Sequence, residues 1–275
     1  MSRIITAVVV LPFLIASILV PVLLPLFLLM AGAAMVLALY EFFLLARKLQ
    51  LKPDVVAGFL GAAAIFTVFC FNEPGKLPDL LLMLQWILIV LTAATLIAAT
   101  LRGAPFDKMI ASTGATILGV LYIAFLGSHL VGLRTGFEQK LSAHLLSFFF
   151  LVLMGADTGA YYVGRLLGKH KLAPTISPGK TWEGVVGGVL AGLLFAALSH
   201  FWFFRELPLR WALPLAAVMV FVGILGDLCE SALKRGAGAK DAATILPGHG
   251  GLLDRLDSLL FNAPLIYYFA RIYFG

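Results

Sequence analysis

Long apolar runs separated by short polar breaks organise the whole chain, at roughly 4–20, 22–46, 55–71, 80–100, 109–132, 142–164, 184–204, 211–233 and 252–273. Most approach the about 20 residues that a helix needs to cross a hydrocarbon layer. Proline and glycine punctuate the joints, among them Pro21 with Pro25, Pro53, Pro74 with Gly75, Pro105 and Pro208. The pattern predicts an all-α, polytopic integral membrane bundle of about nine transmembrane helices. We divide it into N-terminal transmembrane helices over 1–135 and a C-terminal region over 136–275 that carries a polar site, the two forming one integrated membrane domain. No internal repeat of the kind that marks duplicated transporter halves is evident.

Composition agrees with that reading: 61% of the 275 residues are hydrophobic, 12% are charged, and the mean hydropathy is +1.03. A soluble domain has roughly 45–50% apolar and about 25% charged residues. The first apolar run follows Arg3, but no small-residue cleavage site with a polar mature start comes after it, so it is expected to stay in the protein. Cys70 and Cys229 both lie in apolar runs and suggest neither a disulfide framework nor a thiolate metal motif. The net charge of +6 is spread over many loops, which excludes a nucleic-acid footprint.

The distribution of that charge speaks to orientation. If the N-terminus is cytoplasmic, Arg3, Arg47, Lys48, Lys52, Arg102, Lys108, Arg165, Lys169, Lys171, Lys180, Lys234, Arg235, Lys240 and Arg255 share its side. The other side receives Lys76, Arg134, Lys140, Arg205, Arg210 and Arg271. The positive-inside rule favours this arrangement over its reverse.

Carboxylates inside apolar runs cost about 2.5–3.5 kcal/mol each on insertion scales, so Asp157, Asp227 and Glu230 require a partner or a task. Glu41 lies one or two turns from Arg47 and Lys48, and pairing with that basic end is its expected arrangement. In the eighth run, helical spacing places Asp227, Glu230, Ser231 and Lys234 on one face. Acid lies deeper and base nearer the cytoplasm, an order suited to a metal-bound polyphosphate.

Gly248, Gly250 and Gly251 then open the ninth run, where bare N–H groups and the helix dipole favour an anion. Asp254 and Asp257 follow one turn apart, with Asp254 near enough to meet a cation at the same place. Oxygen ligands without a thiolate or imidazole cluster select Mg²⁺ or Mn²⁺ over zinc. His249 either binds phosphate, moves a proton or stabilises the turn.

The other polar stretch, 157–184, offers Arg165 as a bidentate phosphate fork and Lys169, Lys171 and Lys180 as point charges, the first two of which equally suit topology signals. Ser177 and Lys180 sit in a Ser-Pro-Gly-Lys-Thr turn. The triplet Gly179-Lys180-Thr181 is not a P-loop, since Pro174 stands where that motif needs glycine. Leu253 likewise breaks the dinucleotide fingerprint counted from Gly248.

Residues 231–257, S-A-L-K-R-G-A-G-A-K-D-A-A-T-I-L-P-G-H-G-G-L-L-D-R-L-D, resemble the phosphatidate cytidylyltransferase signature and carry each of its fixed elements: S-x-x-K-R, K-D, P-G-H-G-G and D-R-x-D. The upstream D-T-G-A-Y, G-K-H-K-L and S-P-G-K-T-W-E-G resemble the same family, with one departure at Gly179, where many members carry a second lysine. The resemblance covers about the C-terminal 120 residues. It implies transfer of CMP from CTP to phosphatidic acid, giving CDP-diacylglycerol and pyrophosphate.

The resemblance further implies a magnesium-dependent enzyme, and allows a second, monovalent metal ion, on the cytoplasmic face of a bacterial inner membrane. Members of the family form homodimers. Asp227 and Asp254 match the family's metal-holding aspartates, and Lys234, Arg235 and Lys240 join them in the expected catalytic set. Ser177, Lys180, Asp157, Arg165, His249, Gly250 and Gly251 are the expected substrate contacts. The competing readings are a related membrane cytidylyltransferase or lipid kinase with another lipid acceptor and, from a different class, an ion-coupled transporter.

Overall fold

The computed structural model describes residues 2–71, 77–103, 106–239 and 251–275, with side chains left out at 2–10, 77 and 78. Every apolar run becomes a helix. In chain order these are α1 (Ser2–Leu19), α2 (Leu24–Lys48), α3 (Val55–Cys70), α4 (Leu77–Leu101), α5 (Met109–Gly119), α6 (Leu126–Thr135), α7 (Gln139–Leu167), α8 (Trp182–Trp202), α9 (Leu209–Gly236) and α10 (Leu253–Tyr273). A π-helical stretch, Val120–Phe125, joins α5 to α6, so these two form one rod.

Among the described residues six stretches are long and apolar enough to cross a membrane: Pro21–Lys48, Asp79–Leu101, Met109–Thr135, Gln139–Leu167, Trp182–Trp202 and Leu209–Gly236. That is fewer than the nine expected from the sequence. With 16 residues α3 rises about 24 Å, less than the roughly 30 Å of a hydrocarbon core. The helix α10 carries Asp254, Arg255, Asp257 and Arg271, and its Leu253, Ala263, Ile266, Tyr267 and Ala270 are fully buried in protein. It packs against α2, α6, α7 and α9 and is a core helix of the bundle.

The all-α expectation needs one small amendment. Within the polar stretch, β1 (Lys171–Ala173) and β2 (Ser177–Thr181) pair antiparallel, Lys171 opposite Thr181 and Ala173 opposite Ser177. The hairpin hands the chain to α8, whose N-cap Thr181 accepts a hydrogen bond from the Gly184 N–H at 3.1 Å. Glu183 then reaches back to the end of α7, where its carboxylate accepts the N–H groups of Lys169 and His170. It also meets His170 Nδ1 at 2.6 Å. Each end of the hairpin is thereby fastened to a helix.

Asp54 ties together three helices of the N-terminal half. It caps α3 by accepting the Ala57 N–H, receives Arg102 Nη2 at 2.5 Å, and donates its own N–H to Thr116 Oγ1.

Among the described helices α7 and α8 pack most extensively, and small residues bring them close. Glycines 159, 164, 184, 187 and 188 let the two backbones approach, the device by which helices associate where no hydrophobic drive separates protein from lipid. A Cβ at Gly159 would stand 2.7 Å from the Gly187 carbonyl oxygen and collide with the Ala191 methyl. Backbone cannot step aside as a side chain does. We therefore expect Gly159→Val to destabilise the protein by about 1–3 kcal/mol, read as a lower temperature of aggregation in detergent. Gly114→Ala, where a Cβ meets nothing within 4 Å, should leave that temperature unchanged or raise it.

Candidate active site

The faces of α7, α8, α9 and α10 enclose, with the hairpin, a cavity of about 570 Å³. Its walls follow helical spacing: α7 presents Asp157, Ala160, Tyr161, Gly164 and Arg165, and α9 presents Val220, Gly223, Ile224 and Asp227. From α10 come Asp254, Asp257 and Ser258, and from β2 come Gly179, Lys180 and Thr181. Gly184 and Gly188 of α8 join the lining where that helix lies against α7, a Cβ at either meeting the Ala160 or Ala156 carbonyl oxygen at 3.0 or 3.2 Å. Of the expected site residues, Asp157, Arg165, Lys180, Asp227 and Asp254 thus meet around one space.

Two lysines hold the acids of this site apart. Lys180 Nζ lies 2.6 Å from Asp227 Oδ2, while Ser231 Oγ lies 3.3 Å from Asp227 Oδ1. Lys234 Nζ hydrogen-bonds Asp254 Oδ1 at 2.7 Å and lies 2.6 Å from Glu230 Oε2, the latter an ion pair without hydrogen-bonding alignment. Glu230 is 1% exposed, so its partnership with Lys234 is what makes a carboxylate tolerable at that depth. The helix face that carries Asp227, Glu230, Ser231 and Lys234 thus holds two pairs, Asp227 with Ser231 and Glu230 with Lys234.

Arg165 lines the cavity at its edge, and other expected residues stand outside it. Arg165 Nη1 hydrogen-bonds the Tyr161 hydroxyl at 3.0 Å. Arg235 leaves the cavity wall and donates to the carbonyls of Ile176 and Ala239, pinning the hairpin turn to the end of α9. Ser177 sits next to that contact, in β2, outside the cavity lining. Lys240, His249 and Gly250 lie outside the described residues.

Of the three glycines expected to offer bare N–H groups to an anion, Gly248 and Gly250 lie outside the described residues, and the donors that follow them at the start of α10 have partners in the protein. The Gly251 N–H donates to Asp254 Oδ2 at 2.9 Å, and the N–H groups of Leu252 and Leu253 donate to the two oxygens of Glu41 at 2.9 and 2.8 Å. Glu41 belongs to α2 and is fully buried. It turns to α10 and away from the expected Arg47–Lys48 partnership, because a buried carboxylate gains more from two free N–H groups and a positive helix end than from exposed bases.

Sequence reasoning also left Asp257 and Tyr122 without a role. Asp257 accepts the Ser258 N–H at 2.6 Å and lines the cavity. Its spacing from Asp254 was the available signal. Tyr122, on the π-helical stretch, packs on Phe42 and Phe261, and its buried hydroxyl has no hydrogen-bond partner among the described residues. No local pattern announces it.

Four aspartates against one lysine and one arginine leave the cavity wall net negative. Among the described residues no three Asp, Glu, His or Cys side chains converge into a closed metal cage. The net-negative wall fits a magnesium ion, which is held by one or two carboxylates and completes its shell with substrate oxygens and water. Asp227 and Asp254 are the carboxylates that would hold it, with Lys180 yielding its place at Asp227.

Comparison with known proteins gives the family. The cytidylyltransferase family pattern matches residues 1–273. The chain is 34% identical over 244 residues to the phosphatidate cytidylyltransferase of Bacillus subtilis (strain 168), covering 86% of this chain and 85% of that one. It is 34% identical over 250 residues to the phosphatidate cytidylyltransferase of Staphylococcus haemolyticus (strain JCSC1435), covering 87% and 90%. Over 129 residues, 46% of this chain and 45% of the relative, identity to the phosphatidate cytidylyltransferase of Haemophilus influenzae is 43%. With the match running through the helices of both halves and the acid-lined cavity alike, this chain belongs to the cytidylyltransferase family.

Proposed function

We propose that this protein joins CTP to phosphatidic acid, forming CDP-diacylglycerol and releasing pyrophosphate. The observation that carries the proposal is the cavity itself, a net-negative chamber inside a membrane bundle whose Asp227 is held by Lys180 and whose Asp254 is held by Lys234 from outside the lining. An ion path would leave such acids open to its ion. A phosphate site instead needs removable ammonium partners and a place for a counter-cation.

In the reaction an oxygen of the phosphatidate phosphate attacks the α-phosphorus of CTP, and the bond from that phosphorus to the bridging oxygen of the β-phosphate breaks. A phosphate with a second pKa of about 6 is largely ionised at neutral pH, so no strong general base is required. The difficulty is the approach of two anions. Asp227 and Asp254 would hold Mg²⁺, which supplies charge neutralisation at the triphosphate.

Lys180, released from Asp227 as the triphosphate enters, would follow the charge onto the departing pyrophosphate. Arg165, at the cavity edge on α7, would fork onto a phosphate, and Tyr161 holds it in position meanwhile. Acyl chains would remain in lipid while CTP arrives from water. The positive-inside bias supports a cytoplasmic N-terminus and cytoplasmic site, on the inner membrane of a bacterium. We further propose that the enzyme works as a homodimer and that all nine apolar runs lie in or against the bilayer.

The test is product formation by detergent-purified protein given CTP, phosphatidic acid and Mg²⁺. CDP-diacylglycerol that disappears on adding EDTA and returns with Mg²⁺ is the expected result. No product with any lipid acceptor or nucleotide would reject the assignment.

A further inference from the structure

We infer that Glu41, in the N-terminal half of the chain, is a positioning residue of the active site that acts by fixing the start of α10. The first N–H groups of any helix lack an intrahelical acceptor. In α10 the Leu252 and Leu253 N–H groups are accepted by Glu41 at 2.9 and 2.8 Å, and the Gly251 N–H by Asp254 at 2.9 Å. Glu41 is fully buried. Its charge is matched by those two donors and by the positive end of the α10 dipole, an arrangement that holds the carboxylate and the helix end in one relative position.

What is held in position is Asp254. Its backbone follows Leu253 directly, and its side chain spans from the Gly251 N–H to Lys234 Nζ. Three carboxylates thus form a relay of supports: Glu41 fixes the backbone of 252–253, Asp254 projects from it, and Glu230 shares the lysine that steadies Asp254. Outer partners of metal-holding carboxylates characteristically change affinity or activity by about 10–100-fold when removed. Glu41 also withholds the helix end from phosphate, since donors already committed to a buried carboxylate offer nothing to an incoming anion.

The inference rests on the cytidylyl-transfer reading for its activity arm and on the hydrogen bonds alone for its structural arm. Glu41→Ala and Glu41→Gln are purified alongside the unaltered protein. Hydrogen exchange is followed by mass spectrometry across the peptide containing Leu252 and Leu253, and kcat is measured against Mg²⁺ and against phosphatidic acid.

In Glu41→Ala, exchange at 252–253 should quicken at least about fivefold, the loss of one hydrogen bond or more, while α9 exchanges as before. The Mg²⁺ concentration for half-maximal activity should rise about 10-fold or more with KM for phosphatidic acid little changed. Glu41→Gln keeps an acceptor oxygen for one N–H and should fall between, and it decides the matter if the alanine variant does not fold. Unchanged exchange at 252–253, unchanged Mg²⁺ dependence, or loosening spread evenly over α2, α9 and α10 would overturn the inference. If the unaltered protein makes no product, the reaction assignment fails by itself and the exchange result still decides whether Glu41 fixes α10.

Discussion

Asp227→Asn and Asp254→Asn should each abolish measurable turnover, a loss of at least about 10³-fold, which is the scale on which charge-stabilising groups at a reacting centre act. The substitution keeps size and leaves an acceptor oxygen for Ser231 or the Gly251 N–H, so the fold has little reason to change. What disappears is the negative charge that a cation needs, in a cavity where two substrate anions must meet. Asp227→Asn would also deprive Lys180 of the carboxylate that pairs with it at 2.6 Å. That freed lysine should tighten binding of CTP while turnover collapses. Equilibrium binding of nucleotide to the Asp227→Asn protein, with kcat from the product assay, checks both halves. Near-normal turnover by either purified variant would remove that residue from the catalytic centre.

The two aspartates behave differently in one respect that separates their roles. Asp227 is held by side chains alone, whereas Asp254 takes a backbone N–H as well as Lys234. Asp254 is the more firmly placed of the two and Asp227 the more able to move when Lys180 leaves. This division suits a site in which one carboxylate fixes a cation and the other exchanges a lysine for it.

Much of this was legible from residue order because apolar runs and buried charge leave strong marks. The helix boundaries follow the hydropathy breaks within a few residues, and the spacing that puts Asp227, Glu230, Ser231 and Lys234 on one face matches the i, i+4 pairs Asp227–Ser231 and Glu230–Lys234. Span number was less legible. A sixteen-residue run such as α3 and a charged one such as α10 look like membrane helices to a hydropathy window, while their length and burial depend on neighbours.

Long-range partners were the least legible of all. Glu41 and Leu252 stand 211 positions apart, and nothing near Glu41 distinguishes a cap for α10 from a partner for Arg47. The same holds for the hairpin, which depends on Glu183 and Arg235 reaching it from α8 and α9. The general signal was present nevertheless. A carboxylate in an apolar run must find donors, and the rule that singled out Asp227 applies to Glu41 with equal force.

Lys234→Met should be the most damaging single change to stability in the C-terminal half. The methionine fills similar volume but leaves Glu230, 1% exposed, and Asp254 facing one another with no cation between them. Removing one partner of a buried ion pair costs about 3–5 kcal/mol, because the remaining charge is still desolvated. Here two acidic groups lose their shared cation, so the variant is expected to extract poorly from membranes and to aggregate at markedly lower temperature.

Adding Glu230→Gln to Lys234→Met removes the deeper stranded charge and should recover much of the lost stability. It should not recover activity, since Asp254 would still lack the ammonium that steadies it. Thermal aggregation and turnover of the single and double variants would separate the two effects. A double variant as unstable as the single one would mean that Lys234 stabilises the fold through Asp254 alone, and that Glu230 is tolerated at its depth for another reason.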